Sequence, residues 1–197
     1  MQCSGAILAG GKSTRMKFNK AFATILERSV YQIITDKFQQ YFDDILTISN
    51  EPHLYENEGV AVHPDVYPGL GPVAGIHSAL YYARFEQVFI MGCDMPFMKM
   101  DLVGYLLSRL ETYDCVVPEI DGQLQPLSAV YSKKCLPVLT DCLNHDRLKL
   151  IRVFEELNTR IIYEQELVHF GDVREIFMNV NDPLALDLAR TIAGRCI

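Results

Sequence analysis

The chain has 197 residues, of which 49% are hydrophobic and 22% charged, and this composition suits one α/β domain with a sizeable core. Its net charge of -7 argues against general binding to nucleic acid. No apolar run approaches the length of a membrane span, so we expect a cytoplasmic protein that binds neither nucleic acid nor a membrane.

The first predicted strand, residues 3–8, is followed by a loop that is cationic within an acidic chain. Gly10 and Gly11 can take backbone angles closed to other residues and can let a phosphate approach their N–H groups. Four positive charges then fall within nine residues, at Lys12, Arg15, Lys17 and Lys20. A polyphosphate is the ligand that this local change of sign would attract. A surface turn with solvated charges is the alternative.

Two common phosphate-binding motifs do not fit this loop. A Walker loop needs a glycine where Ala6 stands, and the dinucleotide fingerprint needs a third glycine that does not follow Gly10 and Gly11 at the required offset. The loop therefore predicts a nucleotide site of another kind.

Apolar runs alternate with segments of helical period along most of the chain, which predicts parallel strands joined by helical crossovers. Strands are predicted at 3–8, 44–49, 60–63, 88–91, 114–118 and 159–163, with further β character in 122–131. Helices are predicted at 30–42, 53–57, 72–83, 102–110, 133–143 and 148–157, and from 183 onward. The predicted fold class is α/β, with three layers: a mostly parallel central sheet and helices on both of its faces.

Residues 63–75 are rich in turn formers and lead into a helix. Gly71 is predicted just before the helix and Pro72 at its first position, where a missing N–H costs nothing. A rigid loop that only caps the helix is the alternative to a loop that binds a ligand.

Residues 88–91 are an unbroken apolar run, as expected for a strand that is covered on both faces. The strand leads to Gly-Cys-Asp-Met-Pro, residues 92–96, at the carboxyl end of the sheet, where open α/β sheets bind ligands. Asp94 is therefore placed to hold a divalent cation, because Mg²⁺ bridged to phosphates commonly uses only one or two carboxylates. Helix capping is the alternative role for Asp94.

The last third of the chain offers weaker signals. Gln125 and Pro126 could simply turn the chain into an edge strand. Three cations, Arg147, Lys149 and Arg152, could meet the phosphate of an acceptor, although a solvated helix face is the alternative. Asp182 and Pro183 begin the last helix, whose inward-facing residues are predicted to be Ala185, Leu188, Ala189 and Ile192.

Four separated motifs resemble those of the molybdenum cofactor guanylyltransferases, a family that joins GMP to molybdopterin. They are Leu-Ala-Gly-Gly-x-Ser-x-Arg-Met with a following lysine (8–20), Pro-Gly-x-Gly-Pro-x-Ala-Gly (68–75), Cys-Asp-Met-Pro (93–96) and Phe-x-Asn-Val-Asn-x-Pro (177–183). Related cytidylyltransferases usually carry alanine where Gly10 stands. The chain departs from the family pattern at Lys17, at Asn19 and in the stretch 184–186.

The resemblance implies a Rossmann-like nucleotidyltransferase fold, GTP and molybdopterin (the molybdenum cofactor) as substrates, Mg²⁺ as cofactor, and contact with enzymes that deliver or accept the cofactor. It implies one nucleotidyltransferase domain, 1–197, with a nucleotide-binding part at about 1–118 and an acceptor-binding part at about 119–197. Catalytic roles fall on Arg15, Lys20 and Asp94, and Asp94 is also the metal ligand. The nucleotide-binding residues are Leu8, Ala9, Gly10, Gly11, Lys20, Asn50, Asp65, Gly71 and Asp94. The acceptor-binding residues are Gln125, Asn179 and Asn181. Lys149 is added to this set because it is positively charged.

Alternatives remain at two levels. The Asp65 carboxylate can accept from the guanine N1–H and amine, or it can bind the ribose. The reaction can use CTP with molybdopterin or an NTP with a sugar phosphate, or the chain can be a nucleotide-binding module without catalysis. Gly10 argues against CTP, and the short spacing from Arg15 to Lys20 argues against a sugar phosphate.

Overall fold

The computed structural model describes residues 2–10, 20–55 and 59–195, and of Lys20 only the backbone. The strands are β1 (Cys3–Leu8), β2 (Thr24–Ile25), β3 (Arg28–Ser29), β4 (Asp44–Ile48), β5 (Ala61–His63), β6 (Gln87–Gly92), β7 (Cys115–Ile120), β8 (Gln123–Leu124), β9 (Ser128–Ser132) and β10 (Thr159–Tyr163). The helices are α1 (Val30–Tyr41), α2 (Gly71–Tyr82), α3 (Met100–Ser108), α4 (Leu136–Asn144), α5 (Leu150–Glu155), α6 (Val173–Ile176) and α7 (Pro183–Gly194).

One large sheet has the strand order β10-β7-β9-β6-β1-β4-β5, with β8 paired to the side of β7. The pairs β6-β1, β1-β4, β4-β5 and β7-β10 are parallel, whereas β9 runs antiparallel to both of its neighbours. The mostly parallel sheet predicted from the sequence is therefore confirmed.

Helices cover both faces of this sheet, which gives the predicted three layers. Apolar residues of α1, α3, α6 and α7 form the core on one face, and those of α2, α4 and α5 form the core on the other. Every residue of β1 is buried, as expected for a strand that helices cover on both faces. At the start of α1, the Ser29 side chain and Gln32 form a capping box.

The strand β9 occupies an interior position, so the possibility that Gln125 and Pro126 lead into an edge strand is wrong. All five of its residues are buried, and it pairs with β6 on one side and β7 on the other. The cause is the antiparallel return of the chain after β7, which inserts β9 between two parallel strands.

Other predictions need correction at a few places. A hairpin, β2-β3, was not predicted, because its turn at Leu26 and Glu27 contains no glycine or asparagine. The helix predicted at 53–57 is a 3-10 turn over Pro52–Leu54.

The inward face of α7 is also partly different from the prediction. Ala189 and Ile192 are buried as predicted, but Leu186 is buried in place of Leu188, which is 51% exposed. Spacing by three from 186 to 189 to 192 keeps the apolar stripe on one face, and Leu188 lies off that stripe. None of the helices in the part of the chain that the structure describes has the length and apolar character needed to cross a bilayer.

Candidate active site

Four neighbouring parallel strands end at the same edge of the sheet, and each is followed by a residue predicted for the site. In spatial order, Asp94 follows β6, Gly10 follows β1, Asn50 follows β4 and Asp65 follows β5. Strands lie about 4.8 Å apart, so this row spans roughly 14 Å across three strand intervals. Residues that are distant in sequence thus line a single edge, the one at which α/β sheets bind ligands.

Asn50 and Asp65 contact each other directly. The Asn50 amide donates to Asp65 Oδ2 at 2.7 Å, and Asn50 Oδ1 accepts from the Asp65 backbone N–H at 3.0 Å. The backbone N–H of Ser49 also donates to the His63 carbonyl at 2.9 Å, which extends the β4-β5 pairing to this point. The two-point contact fixes the Asp65 carboxylate, and Asn50 thereby acts on the orientation of Asp65.

The second carboxylate oxygen of Asp65, Oδ1, is buried and accepts no hydrogen bond from the residues that the structure describes. Burial raises the pKa of Asp65, while the Asn50 amide and the neighbouring Ser78 hydroxyl act in the opposite direction. Ser78 is itself fully buried on α2 and accepts from the Val66 backbone N–H at 2.9 Å. A buried acceptor of this kind is costly unless a donor reaches it, as a donor on a bound ligand would.

The loop before α2 is shaped by Gly71. This glycine has a φ of +70°, in the region that L side chains rarely adopt, and α2 begins at it rather than at Pro72 as predicted. A side chain at this position would strain the entry to the helix. Gly71 therefore fixes the start of α2 beside Asp65.

The main-chain groups of Leu8 and Ala9 form hydrogen bonds with other residues of the protein. The Leu8 carbonyl accepts from the Cys93 N–H at 3.1 Å, and the Ala9 N–H donates to the Ile48 carbonyl at 2.9 Å. The Tyr55 hydroxyl donates to the Ala9 carbonyl at 3.4 Å. These bonds hold the end of β1 against β4 and β6, and a contact of Leu8 or Ala9 with a nucleotide stays a prediction.

Gly10 follows directly and is exposed. Its φ lies outside the left-handed region, and an added methyl group would meet no atom of the described residues within 4 Å. Backbone strain therefore does not require glycine here, and a contact of Gly10 with a nucleotide stays a prediction.

Asp94 is 8% exposed and lies in the tight turn after β6. An added Cβ on Gly92 would stand 2.7 Å from Asp94 Oδ1, so glycine at position 92 makes room for the carboxylate to fold back over the strand end. Among the described residues, no group of three or more histidines, cysteines, aspartates or glutamates could hold a metal ion. One carboxylate fits a hard cation that takes its other ligands from phosphate oxygens and water.

Two predicted acceptor residues lie beside Asp94. The Val180 N–H donates to the Asp94 carbonyl at 2.8 Å, and the exposed residues Asn179 and Asn181 flank Val180. The structure thus brings the C-terminal motif against the end of β6, across 86 residues of sequence.

Gln125 lies close to the same turn. The Leu127 carbonyl accepts from the Gly92 N–H at 3.0 Å, and the Ser128 hydroxyl donates to Met95 Sδ at 2.8 Å. The Gln125 side chain donates to the Gln123 carbonyl at 3.2 Å. The segment that carries Gln125 therefore borders the Asp94 turn, on the side of β6 opposite to β1.

Lys149 belongs to another part of the fold than the other predicted acceptor residues. It precedes α5 on the face covered by α2 and α4, where it lines an open depression of about 400 Å³ with residues 150–152 and Glu155. Its two cationic neighbours are already paired: Arg147 with Asp141 and Glu156, and Arg152 with Glu155 at 3.0 Å. For all three cations a phosphate contact stays a prediction.

Several predicted residues lie outside the description. Gly11 and Arg15, with Lys12 and Lys17, fall in the range 11–19. The backbone of Lys20 opens a 3-10 turn, Lys20–Phe22, whose Phe22 ring stacks on Tyr55 at 5.3 Å. Because Tyr55 also bonds Ala9, this turn lies at the same edge of the sheet as Asp94.

Two residues that support this site, Ser78 and Lys37, carry no signal in the sequence. Both act through contacts with segments that are remote in sequence, Ser78 on the Asp65 loop and Lys37 on the loop after Asp94. Neither lies within a motif, so only the tertiary contacts identify them.

Comparison with known proteins gives a consistent result. A family model described as a MobA-like NTP transferase domain matches residues 5–161. The probable molybdenum cofactor guanylyltransferase of Clostridium perfringens is 38% identical over 182 residues, covering 90% of this chain and 91% of that protein. The molybdenum cofactor guanylyltransferase of Desulfosudis oleivorans is 33% identical over 196 residues, covering 98% and 97%.

A solved structure shares the fold. The crystal structure of molybdopterin-guanine dinucleotide biosynthesis protein A from Archaeoglobus fulgidus superposes with a TM-score of 0.87 at 23% identity, covering 98% of this chain and 99% of that one. The Rossmann-like nucleotidyltransferase fold is therefore confirmed.

Proposed function

This chain belongs to the MobA-like NTP transferase family, and on that premise we propose that it transfers GMP from GTP to the terminal phosphate of molybdopterin, releasing pyrophosphate. It is a nucleotidyltransferase, as its relatives of 31–38% identity are. The observation that carries the proposal is the row of Asp94, Gly10, Asn50 and Asp65 along one sheet edge.

Asp65 is proposed to read the base. Guanine presents two adjacent donors, N1–H and the exocyclic amine, and a carboxylate whose orientation is fixed can accept from both. The support is the two-point contact from Asn50 and the buried Asp65 Oδ1, which accepts no hydrogen bond from the described part of the chain. An adenine would offer no matching pair of donors, which makes this carboxylate a source of base selectivity.

The triphosphate is proposed to extend from Asp65 toward Asp94. Main-chain N–H groups at Gly10 and Gly11, with Arg15 and Lys20, would hold its phosphates. Asp94 would hold Mg²⁺, which when bound supplies positive charge against the α- and β-phosphates. Asn179, Asn181, Gln125 and Lys149 would hold the acceptor, so that residues of about 1–118 serve the nucleotide and those of about 119–197 serve the acceptor.

The chemistry needs no nucleophilic side chain. An oxygen of the terminal phosphate of molybdopterin attacks the α-phosphorus of GTP in line. As that P–O bond forms, the bond from the α-phosphorus to the bridging oxygen breaks, and pyrophosphate leaves with the electron pair. A phosphate monoester is already anionic at neutral pH, so the side chains contribute alignment and charge neutralisation.

The test is pyrophosphate release with molybdopterin, Mg²⁺ and either GTP, CTP or ATP. We expect turnover with GTP in preference to both other nucleotides. Asp94→Ala should lower this rate about 10²- to 10³-fold while the chain stays folded. Asp187→Ala is the matched control, because Asp187 is exposed and forms a surface pair with Arg190 that contributes little. Equal rates for Asp94→Ala and the wild type, or a preference for CTP, would count against the proposal.

A further inference from the structure

A lysine outside every motif contacts the loop that carries Asp94. Lys37 lies in the second half of α1, half-buried, and its ammonium group donates to two main-chain carbonyls. The acceptors are Pro96 at 2.5 Å and Met98 at 3.1 Å. These residues are 59 and 61 positions away in sequence, so the contact joins two separate elements.

The loop needs this donor because it has no regular structure of its own. Residues 93–99 connect β6 to α3 and belong to neither a strand nor a helix. Pro96 and Met98 are both buried, and a buried carbonyl without a donor is costly. Lys37 satisfies both carbonyls from one charged group.

Two other contacts hold the residues just before them. The Asp94 carbonyl accepts from the Val180 N–H, and Met95 Sδ accepts from the Ser128 hydroxyl. Helix α1, strand β9 and the segment between α6 and α7 therefore hold this loop at residues 94 to 98. Lys37 contributes the charge-assisted bonds, which are about twice as strong as neutral ones.

The charge on Lys37 is retained although its surroundings disfavour it. Burial, with smaller effects from the charges of Arg28 and Lys99, lowers the pKa of Lys37 from 10.5 to about 8. At neutral pH the amine is still mainly protonated. An ammonium kept in a half-buried position, with main-chain carbonyls as its acceptors, serves the geometry of the loop rather than an ion pair.

We propose that Lys37 is a positioning residue of the active site, which holds the loop after Asp94 and so fixes where the Asp94 carboxylate meets the cation of the nucleotide. The role of Asp94 in this statement rests on the proposed function. The contact of Lys37 with the loop does not.

The first measurement is hydrogen exchange of the loop in the protein without ligands. Lys37→Met keeps the length of the side chain and removes the donors, and residues 93–99 should then exchange about 10-fold faster or more. Lys133→Met is the matched control, because Lys133 is also half-buried and donates to one carbonyl, that of Ala83, at the other end of β6. Exchange in 93–99 should be unchanged in that control, and Lys37→Arg should restore most of the protection.

The second measurement is binding of Mn²⁺ in the presence of GTP, followed by electron paramagnetic resonance. The apparent Kd for Mn²⁺ should rise about 10-fold in Lys37→Met and stay at the wild-type value in Lys133→Met. The rate of GMP transfer by Lys37→Met should fall as well, and excess Mn²⁺ should restore part of that rate. Excess Mn²⁺ would not restore it if the substitution had damaged the fold in general.

Wild-type exchange and wild-type Mn²⁺ affinity in a folded Lys37→Met variant would overturn the proposal. If circular dichroism finds that this variant does not fold, Lys37→Gln, which keeps a shorter polar group, takes its place in both measurements. A wild-type protein that binds no Mn²⁺ with GTP would instead overturn the proposed function. The exchange comparison needs neither nucleotide nor metal, so it separates the two failures.

Discussion

At the scale of single residues, the site depends on glycine leaving room for a charged side chain. Gly92 is the clearest case, because its missing side chain leaves the space that the Asp94 carboxylate occupies. The two residues are separated by one position, so their relation is a property of the turn and would be lost with any side chain at 92.

Gly92→Ala should therefore displace the Asp94 carboxylate. We expect the rate of GMP transfer to fall about 10²-fold, close to the effect of removing the carboxylate itself, since the new methyl group would stand in its place. The measurement is pyrophosphate release, with urea unfolding to establish that the chain is folded. Gly194→Ala is the control, because a methyl group there meets nothing within 4 Å. Wild-type turnover by Gly92→Ala would show that the carboxylate tolerates another position.

Another residue-scale feature is the buried imidazole of His77. The side chain is 4% exposed, its Nε2 contacts the Thr140 hydroxyl at 3.1 Å, and its Nδ1 has no partner among the described residues. Tyr67 packs its ring edge-on against the imidazole at 5.0 Å. Burial lowers the pKa of His77 below its ordinary value of 6.5, because a charged ring would lose its solvation.

The pKa of His77 predicts how stability depends on pH. In the unfolded chain His77 takes up a proton near pH 6.5, whereas in the folded chain it resists protonation until a lower pH. Its contribution is thus complete above pH 6.5 and is lost as the pH falls toward the folded pKa, with a slope of at most about 1.4 kcal/mol per pH unit. Urea unfolding at pH 7.5 and pH 5.5 should show a larger loss for the wild type than for His77→Gln. Equal losses would contradict this prediction.

At the scale of elements, the β2-β3 hairpin carries a local conflict. Its two turn residues, Leu26 and Glu27, have φ values of +47° and +67°. Two-residue hairpin loops need positive φ at both positions, and asparagine or glycine normally meets that need. Here the tertiary structure imposes the turn on side chains that do not favour it.

Glu27→Gly should relieve that conflict and raise the free energy of unfolding by about 1 kcal/mol. The measurement is urea unfolding at a pH where both proteins are stable. Glu155→Gly is the control, because Glu155 lies in α5 with helical geometry, and glycine there should lower stability by about 1 kcal/mol. A Glu27→Gly variant that is less stable than the wild type would mean that Glu27 has contacts which outweigh the strain.

At the scale of the whole molecule, the two functional parts of the sequence are interleaved in one sheet. The strand β9, from the proposed acceptor part, lies between β6 and β7, and β7 pairs only with later strands in the described chain. The division near residue 118 falls inside β7 itself. A division by function therefore does not correspond to a division into independently folded units.

The fragment 1–112 should accordingly fail to fold on its own. It retains β1, β4, β5 and β6 but lacks β9, so the buried strand β6 would become an exposed edge, and the core face covered by α4 and α5 would be open. We expect no cooperative urea transition from this fragment, in contrast to the full chain. A sharp transition would show that the first part is an independent domain.

Local patterns of residues are sufficient to predict one group of features of this protein. Apolar runs such as 88–91 predict buried parallel strands, and the carboxyl ends of such strands share one edge, so Asp94 could be placed at the site before any coordinates. Ser29 and Asp182 each cap the helix that directly follows them, so these caps also depend on local sequence. The resemblance of four motifs to those of the molybdenum cofactor guanylyltransferases further implied the substrates, GTP and molybdopterin.

A second group of features depends on contacts between remote segments, and these contacts exist only in the folded chain. The insertion of β9 between β6 and β7, the two-point contact of Asn50 with Asp65, and the contact of Lys37 with the loop after Asp94 join residues 14 to 61 positions apart. No local periodicity encodes them, because their free energy is gained only when the whole sheet and its helices have packed together.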